Sequence, residues 1–279
     1  MTVKGIDHLV LCGWNLEKMR EKYSEVGFTL TPPAQHPFGT QNSLVQLDHV
    51  FLELLGIGQA DNIPEHEPQR FSFAAFNRDF LESGEGFSML VLDSEDARKD
   101  IADFRDRGLH TFEPFDFTRR AKLPGGEEVV VGFSLAFATS PQMPNCGFFC
   151  CQQHAPQYFW QKAYQTHRNG ALTVLDVALV AVHPESLRDF LEKFLGLSAE
   201  QAATGFKIAT KRGDISVITP DAFAGAYNSA PPDTSRGARF GGYTVGVGNS
   251  SALRGTSIAL FGTTVRFEEV PVAAGEERL

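Results

Sequence analysis

The sequence has no basic run longer than the pairs Arg119-Arg120 and Lys211-Arg212, and its formal charge is −9. A protein that grips a phosphate backbone gathers Lys and Arg on one face, so nucleic acid is excluded as a partner. No apolar stretch approaches the roughly 20 residues that span a bilayer. The N-terminus lacks the charged, apolar, small-residue order of a secretory signal. A cytoplasmic protein without a membrane partner is the expectation. Cysteine is scarce: Cys12, Cys146, Cys150 and Cys151 form no CxxC pair. Neither a zinc ribbon nor a disulfide framework is expected, and free thiols in a reducing compartment follow. Aromatics with a polar handle are also few, 2 Trp and 5 Tyr against 24 Phe. Phe adds bulk without a hydrogen-bonding group, which suits packed cores and apolar pockets equally. With 42% apolar residues in 279, the chain carries enough apolar surface for one large domain or two ordinary ones.

What is present is a repeat. GIDHLVL (5–11) is echoed by GFSMLVL (86–92), and each is followed by one helical apolar stripe. The stripes are Leu16, Met19, Tyr23 and Val26 in the first copy and Ala97, Ile101, Phe104 and Leu109 in the second. Each ends at a glycine followed by an apolar residue, Gly27-Phe28 and Gly108-Leu109, which signals a left-handed C-cap. A third copy runs from VLDVALVAV (174–182) through PESLRDFLEKFLGL (184–197) to Gly196-Leu197. His8 to Gly27, Met89 to Gly108 and Val177 to Gly196 are each 19 positions apart. On this spacing Val177 stands where His8 stands. A weaker fourth copy starts at FGGYTVGVG (240–248), reaches Gly262 and places Tyr243 at the His8 position. Strand-like segments follow each helix, so the fold class is α+β. The expectation is tandem βαβββ modules in mixed sheets, with three clear modules and a truncated fourth. The modules are 1–58 and 85–155 in a first half (1–155), then 172–222 and 238–272 in a second (172–279). A helix is expected within the Phe-rich link 64–84, and a loop at SAPPDTSRGAR (229–239).

These features resemble the vicinal oxygen chelate superfamily, in its glyoxalase-like branch. The likeness is carried by Asp7-His8-Leu9-Val10, the Gly27-Phe28 helix end, HPFGTQNSLVQ (36–46) and FLELLGI (51–57). FTRRAKLPGG (117–126), GFFCCQQHAP (147–156) and HRNGA (167–171) complete it. The resemblance implies paired modules whose sheets form cups, and a divalent metal (Zn, Fe, Mn or Ni) held from the first and last strands of each paired module. The superfamily includes isomerases, extradiol dioxygenases, epimerases, epoxide-opening resistance enzymes and proteins that only bind drugs, so fold alone does not choose a reaction.

The four ligand positions that the resemblance marks fall on His8, Glu53, Met89 and Cys151. Imidazole and carboxylate suit a divalent first-row metal. A carboxylate inside FLELLGI is costly to bury unless paired or coordinated, and the bland alternative pairs Glu53 with His8 or an arginine. A thioether is a poor ligand for a hard cation, and a cysteine on a closing strand is often simply core. His154, three residues past Cys151, is a substitute ligand, with Gln153 a weaker one. His36 and Asn42 lie in a glycine-containing turn that brings backbone and side chains near a ligand. Arg119 and Arg120 occupy neighbouring strand positions, so one faces the cup and one faces solvent. The inward one suits a substrate carboxylate or phosphonate. Phe51 and Phe149 are expected to wall the site. His167 and Asn169 are assigned to the junction of the halves. The second cup, with Val177 for His8 and no carboxylate in ISVIT, reads as structural or apolar.

Two functions from different classes follow. One is a metal-dependent lyase, isomerase or ring-opening dioxygenase for a small, partly apolar anion, with His8 and Glu53 as catalytic groups. The other is a metal-free cup of the bleomycin-resistance type that binds a drug or aromatic anion. A metal-free isomerase with His8 as base is a third. The partner in each case is a small molecule, with the cup closed within one chain or shared in a homodimer.

Overall fold

The computed structural model describes residues 3–122 and 126–270. Residues 123–125 of FTRRAKLPGG and the end of the fourth expected module, 271–272, lie outside them. The first module is β1 (Ile6–Cys12), α1 (Leu16–Glu25), β2 (Ala34–Gln35), β3 (Thr40–Gln46) and β4 (Phe51–Ile57). The linking helix α2 (Phe73–Leu81) leads to β5 (Gly86–Ser94), α3 (Ala97–Asp106), β6 (His110–Thr111), β7 (Phe115–Lys122), β8 (Glu128–Thr139) and β9 (Gly147–Gln153). After α4 (Pro156–Phe159) come β10 (Ala171–Val180), α5 (Arg188–Leu195), β11 (Glu200–Ala202), β12 (Gly205–Ala209) and β13 (Asp214–Ile218). A second linking helix, α6 (Pro220–Tyr227), precedes β14 (Arg239–Val247), β15 (Ser257–Leu260) and β16 (Thr263–Glu269). No described helix stands between β14 and β15, so the fourth module is the truncated one. None of the described helices is long and apolar enough to cross a membrane.

The strands form two open sheets. The first runs β2-β3-β4-β1-β5-β9-β8, with β6 and β7 both paired to β8; the second runs β11-β12-β13-β10-β14-β16-β15. In each module the first strand pairs parallel with the last, as in β1/β4 and β5/β9. Modules join through antiparallel β1/β5 and β10/β14. The helices between first and second strands follow from local chemistry. Asn15 caps α1 by accepting from the Lys18 N–H, and Asp96 caps α3, each worth about 1 kcal/mol. Gly27, Gly108 and Gly196 all have positive φ (100°, 79° and 69°), as the Gly-apolar signature requires. Gly262 does not end a helix: with Phe261 it makes the positive-φ turn of the β15/β16 hairpin.

β1 and most of β5 and β14 are buried on both faces, which is why they read as largely apolar runs, while β10 is so only over its last four residues. One face of each sheet enters a core shared by the two halves. There Phe87 stacks on Phe240 at 4.2 Å and the Tyr23 and Tyr243 hydroxyls meet at 3.2 Å. Tyr243 therefore turns away from the cup, against the His8-like place its spacing suggested. The junction segment ties the halves with hydrogen bonds: His167 Nδ1 accepts from the Thr29 N–H, and its Nε2 donates to the Gln46 carbonyl.

The opposite faces form the cups. In the first, His8, Val10 and Cys12 point in; in the second, Asp176, Ala178 and Val180 do, while Val177 joins the shared core. The register agrees, because His8 pairs with Phe51 at the start of β4, and Asp176 pairs with Asp214 at the start of β13. The residue at the His8 position is thus Asp176, not Val177. The second cup is not wholly apolar: the Ser216 hydroxyl donates to Asp176 at 2.6 Å. Phe223 and Tyr227 of α6 plug its apolar end over Ala178 and Val180.

Burial lifts the Asp176 carboxyl from its ordinary range to about 7. Its folded pKa is raised, so the folded state bears no charge-burial cost below pH 4, and stability falls as pH rises through about 7. Asp176→Asn keeps an acceptor for Ser216 and removes the charge. The variant is expected to be more stable than the parent by roughly 2 kcal/mol at pH 8, with the gain vanishing near pH 4. Urea unfolding at both pH values checks this, and a gain independent of pH refutes it.

Candidate active site

The first cup is plugged at one end and open at the other. Helix α2, capped by Ser72, lays Phe73, Phe80 and Leu81 over the Val10–Cys12 end. Asn77 on this helix donates to the Phe73 carbonyl and reaches Met89 Sδ at 3.6 Å. Met89 is thereby held under α2, in space that Gly147 leaves free, because a Cβ there would sit 2.4 Å from Met89 Cγ. It does not line the cavity that remains.

That cavity measures about 40 Å³, counted as the space open to the centre of a water molecule. Since one water needs roughly 10–15 Å³ on this measure, it has room for about three. His8, His36, Asn42, Glu53, Arg119 and Cys151 supply its polar lining. Its apolar walls include Phe51, Phe149, Phe117 and Phe133.

His8 is fixed from three sides. Its ring stacks on Phe51 at 4.3 Å and meets the edge of Phe149 at 5.5 Å. Its Nδ1 is 2.6 Å from Asp7 Oδ2. Adjacent strand residues ordinarily point to opposite faces, but the β1/β5 register shifts between Ile6 and His8, leaving Asp7 as an extra residue in a β-bulge. The bulge lets neighbouring side chains meet. Gln153 of β9 donates to the other Asp7 oxygen at 3.1 Å. With Nδ1 engaged, Nε2 is the nitrogen left for the cavity, 3.7 Å from Glu53 Oε2.

Glu53 Oε1 accepts from the Asn42 amide at 2.6 Å. His36 stands beside it, its Nδ1 2.8 Å from the Thr40 hydroxyl and its ring stacked on Phe38. Burial, then the nearby charges of Arg119 and His8, push the His36 imidazolium down to about 3. His36 is neutral at working pH, and is a hydrogen-bonding wall rather than an acid.

Arg119 is the inward member of its pair. Arg120 is exposed and 3.7 Å from Glu128. Burial pulls Arg119 below the ordinary arginine range while Glu53 holds it up, and a guanidinium stays charged under both. Arg119 has no hydrogen-bond or ion-pair partner among the described residues. It lines both the cavity and an outer cleft of about 950 Å³, and Asn42, Leu44 and Phe159 likewise line both. These four make the throat between cleft and cavity.

The donor set does not fit a divalent ion. Such a site needs at least three protein ligands. His8 and Glu53 converge, and His36 Nε2 lies 3.8 Å from Glu53 Oε1 but is turned toward the Asn42 amide nitrogen at 3.4 Å. The Cys151 thiol lines the cavity, but burial, with Asp7 and Glu53 nearby, pushes it well above its ordinary range, away from the thiolate that coordinates. His154 is exposed at the end of β9, with Nε2 2.8 Å from the Ser134 hydroxyl, and does not line the cavity. Among the described residues, no group of three or more His, Cys, Asp or Glu is arranged to hold a metal.

Of the residues marked in the sequence, His8, His36, Asn42, Phe51, Glu53, Arg119, Phe149 and Cys151 meet in one cavity. Arg120 lies in the outer cleft, and His154 stands apart. Sequence reasoning missed the role of Asp7, whose pairing with its neighbour depends on a bulge, and the phenylalanines of α2 and β7. The abundance of Phe was the one signal of the latter.

The chain matches the family model described as "Glyoxalase-like domain" over residues 6–195. No curated protein matches it. Among solved structures, a hypothetical protein from Staphylococcus aureus superposes with a TM-score of 0.74 at 12% identity, over 96% of this chain and 100% of that one. A xylose isomerase-like TIM barrel/4-hydroxyphenylpyruvate dioxygenase fusion protein gives 0.53 at 14% identity, over 89% of this chain and 38% of that one. A 4-hydroxymandelate synthase mutant from Streptomyces coelicolor gives 0.49 at 11%, over 89% and 72%. At these identities the first two likenesses are of fold alone, whereas the family match spans more than half of the sequence: the chain belongs to the glyoxalase-like domain family.

Proposed function

We propose that the protein is an acid–base enzyme, an isomerase or lyase that moves a proton on a small anionic carbon acid, and that it works without a metal. The observation that carries this is the clamped His8, with Nδ1 on Asp7 and Nε2 facing a cavity whose throat holds an unpaired Arg119. A substrate carboxylate pairs with Arg119 in bidentate fashion. His8 Nε2 takes the proton from the carbon beside a carbonyl, and the electron pair moves onto the carbonyl oxygen as an enolate. Return of the proton, at the same carbon or its neighbour, completes an isomerisation. The Asp7 carboxylate stabilises the imidazolium that forms, as a carboxylate behind a general base does. Glu53, fixed by Asn42, is the second proton carrier. The Phe walls leave room for only about three waters, so the charges act in a lower dielectric than bulk solvent. The four free cysteines support a reducing, cytoplasmic setting.

A second reading is favoured by one feature: the narrow Phe-lined cavity also suits a binding cup of the bleomycin-resistance type, without turnover. Deuterium exchange separates the two. The protein, incubated in D₂O with a panel of small 2-oxo and 2-hydroxy carboxylates, is expected to exchange C–H for C–D in at least one, read by NMR. His8→Gln should slow this by about 10²–10⁴-fold. Asp7→Asn should slow it by roughly 10–100-fold with little change in substrate affinity. Binding of a panel member without exchange moves the assignment to the cup.

The metal-free reading has its own check. Chelation should leave exchange unchanged, and added Zn, Fe, Mn or Ni ions should not raise the melting temperature, because a ligand that binds only the folded state raises it. A stoichiometric ion in the purified protein, lost on chelation together with exchange, overturns it.

A further inference from the structure

The Asn42 amide is fixed in orientation. Its nitrogen donates to Glu53 Oε1 at 2.6 Å and lies 3.4 Å from His36 Nε2. A carboxylate accepts and does not donate, so the amide nitrogen is the end that faces Glu53. The amide oxygen then points elsewhere. Asn42 is 4% exposed, and its Oδ1 has no hydrogen-bond partner. A buried acceptor left unpaired costs about 1–3 kcal/mol, and such orphans in native proteins call for an explanation. Asn42 lines both cavity and cleft, as Arg119 does. Two residues of the throat are therefore incompletely answered: Asn42 Oδ1 lacks a donor, and Arg119 has Glu53 nearby but no partner within ion-pair distance.

We propose that Asn42 is a specificity-determining residue. Its Oδ1 accepts a hydrogen bond from the ligand, so the site selects small carboxylates that carry a hydroxyl near the carboxylate over the same carboxylates without it. A hydroxyl fits better than an ammonium. Burying an ammonium among phenylalanines requires a carboxylate to pair it, and Glu53 Oε1 is already held by Asn42 while the Arg119 guanidinium at the throat repels a second cation. The size of the cavity restricts the part of the ligand beyond the throat to a few heavy atoms. Selection of this kind is strong in principle, because a site with a buried polar group rejects the analogue that leaves it unpaired. The inference rests on the cavity being the substrate site proposed above. It is tested by binding alone, so failure of the proposed chemistry and failure of the selectivity show up in different experiments.

The experiment is calorimetric titration of the full chain with lactate, propionate and alanine, which share a three-carbon carboxylate frame. Lactate is expected to bind at least tenfold more tightly than propionate, with alanine weaker than lactate. Asn42→Ala should reduce the lactate-to-propionate ratio to near one. If that variant does not fold, Arg119→Met supplies the second measurement and should weaken both ligands together. Equal binding of lactate and propionate by the parent protein, binding of neither, or preference for alanine overturns the proposal. A ratio that survives Asn42→Ala in folded protein overturns it as well.

Discussion

An imidazole in the middle of a strand buried on both faces is tolerable only if its polar atoms are answered from within the protein. Almost everything around the first cup follows from meeting that demand at His8. The ring is stacked on Phe51, and the partner for Nδ1 comes from the preceding residue. That requires the bulge at Asp7. Asp7 in turn needs a donor, which Gln153 brings from β9, the strand that closes the second module. The two modules of the first sheet are thus tied by apolar packing and also by a polar chain that crosses the module boundary at the site. Removing one buried partner leaves the others unpaired, which costs more than the lost bond alone.

The faces of the sheets divide the labour. The shared core takes the bulky aromatic contacts, Phe87 on Phe240 and Phe148 against Phe190 and Phe194. These faces carry much of the apolar burial, with the Tyr23–Tyr243 hydroxyl pair as a polar contact within it. The cup faces are freed for chemistry, and each is then narrowed by the helix that links its two modules. In the first cup α2 closes the Met89 end and leaves the His8–Glu53 end open. In the second, α6 lies over Ala178 and Val180 and leaves Asp176 beside Ser216. The halves therefore have the same plan with different residues in the equivalent places, imidazole in one and carboxyl in the other.

Much of this plan was legible in the sequence. The equal spacing of His8, Met89 and Val177 from their glycines identified three modules, because helix length and a left-handed cap are local properties. The same spacing misplaced the second cup by one residue. Register between strands depends on bulges, and a one-residue slip turns a strand over. Asp176 and Val177 changed roles for that reason, as did Tyr243. Within the site, residues on regular strands were placed correctly: Glu53 sits two positions beyond Phe51, and Arg119 and Arg120 alternate. Residues whose direction depends on an irregularity were not. Asp7 turns inward through a bulge, and His154 lies past the strand end, where it meets Ser134 instead of the cavity. The linking helix α6 carries Gly and Pro and has only Phe223 and Tyr227 buried, too short a pattern to announce itself.

The small volume of the cavity is itself a consequence of the fold's solution to burial. Phenylalanines from α2, the turn before β3 and β7 narrow the cup floored by His8 and Glu53, where a wider cup would admit more water. Water would screen the carboxylates that hold the imidazole in place. What the walls exclude in size they cannot supply in charge, so recognition moves outward to the throat. Arg119 and Asn42 stand there, each partly unanswered, between a roomy cleft and a tight interior. Under the proposed function, a ligand that satisfies both has its carboxylate held at the throat and its neighbouring carbon in the space in front of His8. The proposed binding groups and proton-transfer groups then occupy successive depths of one channel, and the acid–base pair meets only ligands that the throat has already selected.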